Sequence, residues 1–352
     1  MKEVRVGIIG TGAISWAHID GYKKLKDKGV TVVACCDPDE NKAREYAKEN
    51  EIPNVFTDYN EMLKMDGLDA VSVTTWNSVH NPATLAALRA GKHVLCEKPL
   101  ALSVEQAEEM KAEADKAGLV LNVGFVMRFE KKVQIYRDFE KAGLLGNIHL
   151  AKVKYTRRNG APIGWFTSKD MAGGGPVFDL GVHVVDISRY LMGNKKPVSV
   201  SAAAFKGQGA KQNIKLLERY RASAPFDIYD VEDLAVAFIR FEDGGVISLE
   251  TSYTQHIEKD EISISFYGDK GGIDYYPQPV VHTDMLDYLA DIKPIVEIGE
   301  DDGFPAEIAH FIDCVRGEAA SIAPAQDGVD IMRILGAVYE SAAAGKEVAL
   351  QG

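Results

Sequence analysis

The feature that most constrains this chain is the junction at residues 4–15. There the apolar run Val4-Arg5-Val6-Gly7-Ile8-Ile9 passes without a break into Gly10-Thr11-Gly12-Ala13-Ile14-Ser15. The run reads as a strand buried on both faces, and a helical pattern follows it. A strand that turns so abruptly into a helix needs one glycine for the tight turn and a second where main-chain amides approach a ligand closely. The N–H groups that open the helix then face a pyrophosphate. Ser15 stands at the third glycine position, a tolerable departure. Glycine pairs often make turns and nothing more, but the strand before and the helix after supply the context of a dinucleotide site. Gly10, Thr11, Gly12, Ala13 and Ile14 are its expected phosphate-side residues.

Further apolar runs at residues 30–36, 70–74, 93–96 and 119–123 alternate with helical segments, which predicts a parallel sheet with crossover helices. Asn81-Pro82 predicts the start of a helix ending at Gly91, and Ser103 with Gln106 predicts a capping box for one ending at Gly118. After about residue 145 the runs at 151–155, 198–202, 234–241, 246–253 and 261–267 alternate apolar with polar residues, the mark of an antiparallel sheet with one drier face. Glu242-Asp243-Gly244-Gly245 predicts a hairpin. Helices are expected again at 306–316 and 329–344. The reading is an α/β chain: a Rossmann-type, doubly wound parallel sheet over residues 1–122, then an α+β domain with a large, mainly antiparallel open sheet over 123–352. A length of 352 residues is enough for two cores. A polar stretch between Phe205 and Asp230, with Lys211, Arg219, Tyr220 and Arg221, is either a pocket lid or a surface excursion.

The second run ends at Asp37, whose carboxylate can accept hydrogen bonds from ribose hydroxyls and would repel a 2′-phosphate. NAD is therefore favoured, with NADP open because Lys42 or Arg44 can reach a phosphate. Asp37-Pro38-Asp39 also fits a plain turn. A net charge of -12 opposes nucleic acid and anionic membrane as partners. The N-terminus has no signal-like pattern and the chain no long apolar stretch, so a cytoplasmic protein is expected. Cys35, Cys36, Cys96 and Cys314 lack Cys-x-x-Cys spacing and read as reduced, buried thiols, and no metal is expected.

Three motifs then occur in order: the glycine turn with His18 eight residues after Gly10, the tripeptide Glu97-Lys98-Pro99 at the end of a strand, and Gly173-Gly174-Gly175-Pro176-Val177-Phe178-Asp179-Leu180-Gly181-Val182-His183. Over roughly residues 4–275 the chain resembles the Gfo/Idh/MocA family of oxidoreductases. The resemblance implies that Lys98, Asp179 and His183 surround the carbon exchanging hydride with a nicotinamide, and that Glu97 and Lys98 also border the cofactor. A spacing of four puts Asp179 and His183 on one helix face. A histidine is suited to take the alcohol proton at neutral pH, a lysine to stabilise developing alkoxide, and Asp179 to orient His183 or grip a hydroxyl. Each also has a structural reading: a turn lysine, a carboxylate in a helix's first turn, and a core histidine.

The stretch Thr74-Thr75-Trp76-Asn77 with His80 matches a family segment that approaches the cofactor and usually reads Thr-Pro-Asn. Trp76 replaces the proline and leaves the turn shape open. Thr75, Trp76, Asn77 and His80 are expected at the cofactor, and Arg128, Arg157 and Trp165 at the substrate. Arg158 also precedes the glycine run. The implied substrate is a sugar, cyclitol or derivative reacting at a secondary alcohol or ketone. Two other readings are a cofactor-binding regulator without turnover and an NAD-dependent glycosidase. The alternating C-terminal sheet and the resemblance together predict a homodimer or homotetramer.

Overall fold

Residues 2–162, 164–207, 215, 228–298 and 303–350 are described by a computed structural model. Strand β1 (Val4–Ile9) leads into helix α1 (Ala13–Lys23), followed by β2 (Val30–Cys36), α2 (Glu40–Asn50), β3 (Asn54–Phe56) and α3 (Tyr59–Leu63). The alternation continues with β4 (Ala70–Val73), α4 (Asn77–Arg89), β5 (His93–Cys96), α5 (Val104–Ala117) and β6 (Leu121–Val123). The six strands form one parallel sheet in the order β3-β2-β1-β4-β5-β6. The order reverses direction between β1 and β4, so a ligand crevice opens beyond the carboxyl ends of those two strands.

Local chemistry sets the helix ends. The Ser103 hydroxyl accepts the Gln106 N–H at 3.3 Å, Gln106 Oε1 accepts the Leu102 N–H at 3.1 Å, and Gly118 closes α5 at φ 65°. Helix α4 starts four residues earlier than its Asn-Pro pair predicts, at Asn77, with Pro82 inside it. The residue that starts it is Trp76, whose extended backbone forms the N-cap. The helix runs through Pro82 without the N–H that would return to residue 78.

The chain continues through α6 (Lys131–Lys141), β7 (Ile148–Thr156), α7 (Lys169–Ala172), α8 (Val182–Leu191), β8 (Pro197–Phe205), β9 (Leu234–Phe241) and β10 (Val246–Ser252). Then come β11 (Glu261–Gly268), β12 (Gly271–Tyr276), β13 (Val280–Met285), β14 (Tyr288–Ile292), α9 (Phe304–Arg316), α10 (Ala325–Ala344) and β15 (Val348–Ala349). A nine-stranded sheet runs β14-β13-β12-β11-β7-β10-β9-β8-β15, antiparallel throughout except where β7 and β10 pair in parallel. The predicted hairpin joins β9 and β10, with Gly244 at φ 85°. Along β9, Ala235, Ala237 and Ile239 are buried while Val236 and Phe238 face out, so burial alternates although the outward residues are apolar too.

The division of the chain differs from a single cut after residue 122. One compact unit takes Met1–Phe129 and Asp302–Met332, and the other takes Glu130–Asp301 and Arg333–Gly352. The reason is a helix contact: α9 lies on α1 where Gly21 has no side chain, and a Cβ there would come within 2.7 Å of Ile308 Cγ1. Ile308, Phe311 and Ile312 thereby join Val4, Val6, Ile8, Ile19 and Tyr22 in one core. The four cysteines are free and buried, and burial pushes the Cys35 thiol up to about 11 and the Cys36 thiol to about 12. Among the described residues no helix is long and apolar enough to cross a membrane. Most of the polar stretch between Phe205 and Asp230, including Lys211, Arg219, Tyr220 and Arg221, lies outside the described residues.

Candidate active site

The glycine turn separates two needs. Gly10 adopts φ 91°, a left-handed conformation, and a Cβ there would sit 2.8 Å from the Thr74 carbonyl oxygen. The fold itself requires this glycine. Gly12 has an ordinary φ of -76°, and a Cβ there would meet nothing within 4 Å. The open space at Gly12 is a cradle beside the first turn of α1. That turn has no side-chain cap and no acidic residue, so its N–H groups and positive end are offered outward. Ala13 is exposed and Ile14 half-buried at this end. Ser15, at the third glycine position, is buried and returns its hydroxyl to the Gly12 carbonyl at 2.6 Å.

Asp37 closes the same corner. Its Oδ2 accepts both the N–H and the hydroxyl of Thr11, at 3.0 and 2.9 Å, and its Oδ1 accepts the Asp39 N–H at 3.1 Å. Burial works against ionisation here, but those bonds and the Lys42 ammonium outweigh it and hold the carboxyl below the usual carboxylate range. Lys42 pairs with Asp37 at 3.3 Å and Arg44 with Glu40 at 2.6 Å, so both cations that could answer a 2′-phosphate already face acids. These features suit an NAD molecule: its pyrophosphate at Gly12 and α1, its ribose at Asp37.

Beyond β4, Trp76 takes φ -66°, a value within the range that a proline would impose. Trp76 is half-buried and Asn77 buried. His80 and Glu97, expected to border the cofactor, spend their side chains on the protein. His80 Nδ1 lies 2.8 Å from the Pro99 carbonyl and Nε2 3.3 Å from that of Thr75. Glu97 Oε1 meets His18 Nε2 at 2.9 Å, and its Oε2 accepts the Lys98 N–H at 3.1 Å. Lys98 itself is half-buried. Glu307 brings a further carboxylate, and one donor atom from each of His18, Glu97 and Glu307 lies within 4.8 Å of the others. His18 and Glu97 belong to the sequence motifs, but nothing in the sequence pattern brings in Glu307, which comes from α9 far along the chain.

Arg128 departs most from expectation. It was expected at the substrate, but its guanidinium is fully buried within the first unit. It pairs with Asp327 at 2.7 Å, donates to the Ile322 carbonyl and lies 4.9 Å from the Phe125 ring centroid. A loop arginine near a domain boundary has no sequence signal that separates the two roles.

The candidate residues of the second unit gather around its glycine run. Gly174 and Gly175 are there for packing: a Cβ on the first would lie 2.0 Å from Tyr339 Oη, and on the second 2.4 Å from the Glu232 carbonyl oxygen. Buried Glu232 accepts the Gly175 and Val177 N–H groups at 3.0 and 3.1 Å and the Tyr339 hydroxyl at 2.8 Å. Burial nonetheless pushes its carboxyl above the usual range. Residues Val177–Gly181 then form a π-turn before α8, with the Val182 N–H reaching the Val177 carbonyl. Asp179 thus sits in a π-turn and His183 on an α-helix, rather than both on one regular helix. From Pro176 to Arg189 every residue is buried except these two, so the segment opens only at Asp179 and His183. Tyr253, missed by the sequence pattern, donates to Asp179 Oδ2 at 3.1 Å, and Arg157 stands close enough for the Asp179 charge to raise its pKa against the opposing effect of burial. Trp165 is half-buried and stacks on Phe166 at 3.8 Å between centroids. The main chain of exposed Arg158 is tied to Asp260.

Residues 4–125 match the model of an oxidoreductase family with an NAD-binding Rossmann fold, and residues 141–350 match that family's C-terminal alpha/beta domain. Among curated relatives, D-glucoside 3-dehydrogenase of Escherichia coli is 35% identical, covering 99% of this chain and 98% of its own. The scyllo-inositol 2-dehydrogenase (NAD(+)) of Bacillus subtilis is 28% identical over 89% of this chain and 86% of its own. The solved structure of a levoglucosan dehydrogenase in complex with NADH superposes with a TM-score of 0.87 at 24% identity, covering 99% of this chain and all of that one, a likeness of fold. Matched in both of its domains and over nearly its full length by a 35% identical relative, the chain belongs to the Gfo/Idh/MocA family of NAD-dependent oxidoreductases.

Proposed function

We propose that this oxidoreductase converts a secondary alcohol of a glucoside-type pyranose to the corresponding ketone, with NAD rather than NADP as acceptor. The observation that carries this reading is the Asp179–His183 opening in an otherwise buried segment. A substrate-facing acid–base pair needs such an opening, and a core histidine does not. The glucoside assignment draws on the full-length relative described as a D-glucoside 3-dehydrogenase.

Bound NAD+ supplies the acceptor for the hydride leaving the carbinol carbon. Lys98 donates a hydrogen bond to the reacting oxygen and lowers the cost of its developing charge. His183 takes the hydroxyl proton. Asp179, held by Tyr253 and facing the Arg157 charge, grips a neighbouring hydroxyl or keeps His183 in register. Trp165 offers an aromatic face to the sugar ring. A homodimer or homotetramer built on the open face of the large sheet is part of the same reading, supported by exposed Val236, Phe238 and Tyr267.

The test is a screen for NADH formation with methyl glucosides, levoglucosan and inositols, with the keto position of the product located by NMR. Turnover of methyl β-D-glucopyranoside to its 3-keto product is expected. Turnover of inositols alone would overturn the glucoside assignment. Nitrophenol release from a nitrophenyl glucoside without accumulation of NADH would replace dehydrogenation by glycoside cleavage.

A further inference from the structure

Lys98 sits on a main chain held from both sides by buried side chains. On its N-terminal side the Glu97 carboxylate folds back so that Oε2 accepts the Lys98 N–H at 3.1 Å. This conformation depends on Gly124, where a Cβ would come within 3.1 Å of the Glu97 carboxyl carbon. It depends equally on His18, wholly buried, whose Nε2 meets Glu97 Oε1 at 2.9 Å. The other ring nitrogen, Nδ1, lies 3.1 Å from the Ser72 hydroxyl, which lies 2.8 Å from Tyr22 Oη.

The proton positions in this chain follow from what each group can do. An ionised carboxylate only accepts, so His18 Nε2 donates. The chain continues from His18 Nδ1 through the Ser72 hydroxyl to Tyr22 Oη. Four buried side chains, from α1, β4 and the residue after β5, thus form one chain that converges on the Glu97 carboxylate, which also accepts the Lys98 N–H. On the C-terminal side His80, also buried, meets the Pro99 carbonyl at 2.8 Å through Nδ1. A carbonyl oxygen only accepts, so His80 Nδ1 donates to that of Pro99.

We infer that His18, Glu97 and His80 are positioning residues for Lys98: two buried histidines clamp the main chain before and after it and so fix where its ammonium can reach. This deepens the proposed function and rests on Lys98 acting in the chemical step.

The test uses the full chain and two measurements. The first is amide hydrogen exchange of the segment around Lys98 without ligand. The second is kcat for NAD+ and methyl β-D-glucopyranoside, with NADH affinity measured beside it. His18→Leu and His80→Leu should speed exchange of the Lys98 and neighbouring amides and lower kcat on the order of 10²-fold, the cost of displacing a reacting group by about 1 Å. NADH affinity should change little. His18→Gln, with an amide where Nε2 stood, and His80→Asn, with one where Nδ1 stood, should restore most of both losses. In a Lys98→Met background His18→Leu should cost no further turnover. If the Leu variants only melt earlier, with exchange at Lys98 and kcat unchanged, the clamp is merely structural and the inference falls. If Lys98→Met alone retains turnover, or no glucoside is turned over, the proposed function is what failed, and the exchange rates still decide whether the histidines hold this segment.

Discussion

Replacing Arg128 by methionine separates stability from catalysis at a residue whose charge and place near a domain boundary suggest a substrate contact. The guanidinium and the Asp327 carboxylate form a pair 2.7 Å apart with side-chain exposures of 0% and 9%. Removing one partner strands the other charge in the interior, which costs about 3–5 kcal/mol. The contact of the guanidinium with the Phe125 ring is lost in the same substitution. Arg128→Met should therefore lower the stability of the first unit by ~4 kcal/mol, with turnover of the folded enzyme at moderate temperature unchanged. Pairing it with Asp327→Leu removes the stranded charge. What remains is the loss of a carboxylate in the first turn of α10, about 0.3–1 kcal/mol, so the double variant should recover most of the stability. Urea unfolding, followed by hydrogen exchange in β1 and α9, measures both. A single variant as stable as the parent but with collapsed turnover would return Arg128 to the substrate. A double variant no better than the single would show that the pair is not the source of the loss.

Three further expectations concern the cofactor corner. Gly12→Ala should leave thermal stability unchanged while weakening NADH binding in a fluorescence titration, whereas Gly10→Ala, with φ 91° and a clash at Thr74, should destabilise the fold by more than ~1 kcal/mol. Calorimetric titration should give tighter binding of NAD than of NADP, a gap that Asp37→Ala narrows. Equal affinities in the parent would remove Asp37 from the ribose. The Asp37 carboxyl is depressed in the folded state, so its stabilisation is present above its unfolded pKa and lost as pH falls through the lower folded value. The melting-temperature difference between parent and Asp37→Asn should accordingly be full at neutral pH and shrink only in acid below the usual carboxylate range. A constant difference would contradict the shift.

Where a segment is buried on both faces, its boundaries are readable residue by residue. Val4–Ile9, Val30–Cys36 and His93–Cys96 carry apolar runs broken only by Arg5, Thr31 and His93, whereas Leu234–Phe241 is apolar at every position but Arg240 and alternates only in its burial. Short β3 and β15 and the largely exposed β13–β14 hairpin carry no such signal, since their side chains bury little. The parallel pairing of β7 with β10 is a matter of topology, and the return of α9 to the first unit depends on a contact between Gly21 and Ile308 that lie far apart in the chain. At the site, Lys98, Asp179 and His183 are singled out through the family resemblance that three ordered motifs carry. Whether a charged side chain faces a ligand or the protein is decided by partners distant in sequence. Asp327 captures Arg128, His18 captures Glu97, and Glu232 with Tyr339 dictates the glycine run.

The central claim is that Lys98 and His183 carry the chemical step while Gly10, Gly12 and Asp37 hold the cofactor, and the most direct test is the pH dependence of kcat for Lys98→Met and His183→Asn. Lys98→Met should lower kcat by a factor on the order of 10²–10⁴, with NADH affinity nearly unchanged. His183→Asn should abolish the limb of the profile that reports deprotonation of the base, and the double variant should lose far less than the product of the two. Near-parental turnover in either variant, or an intact limb in His183→Asn, would contradict the account.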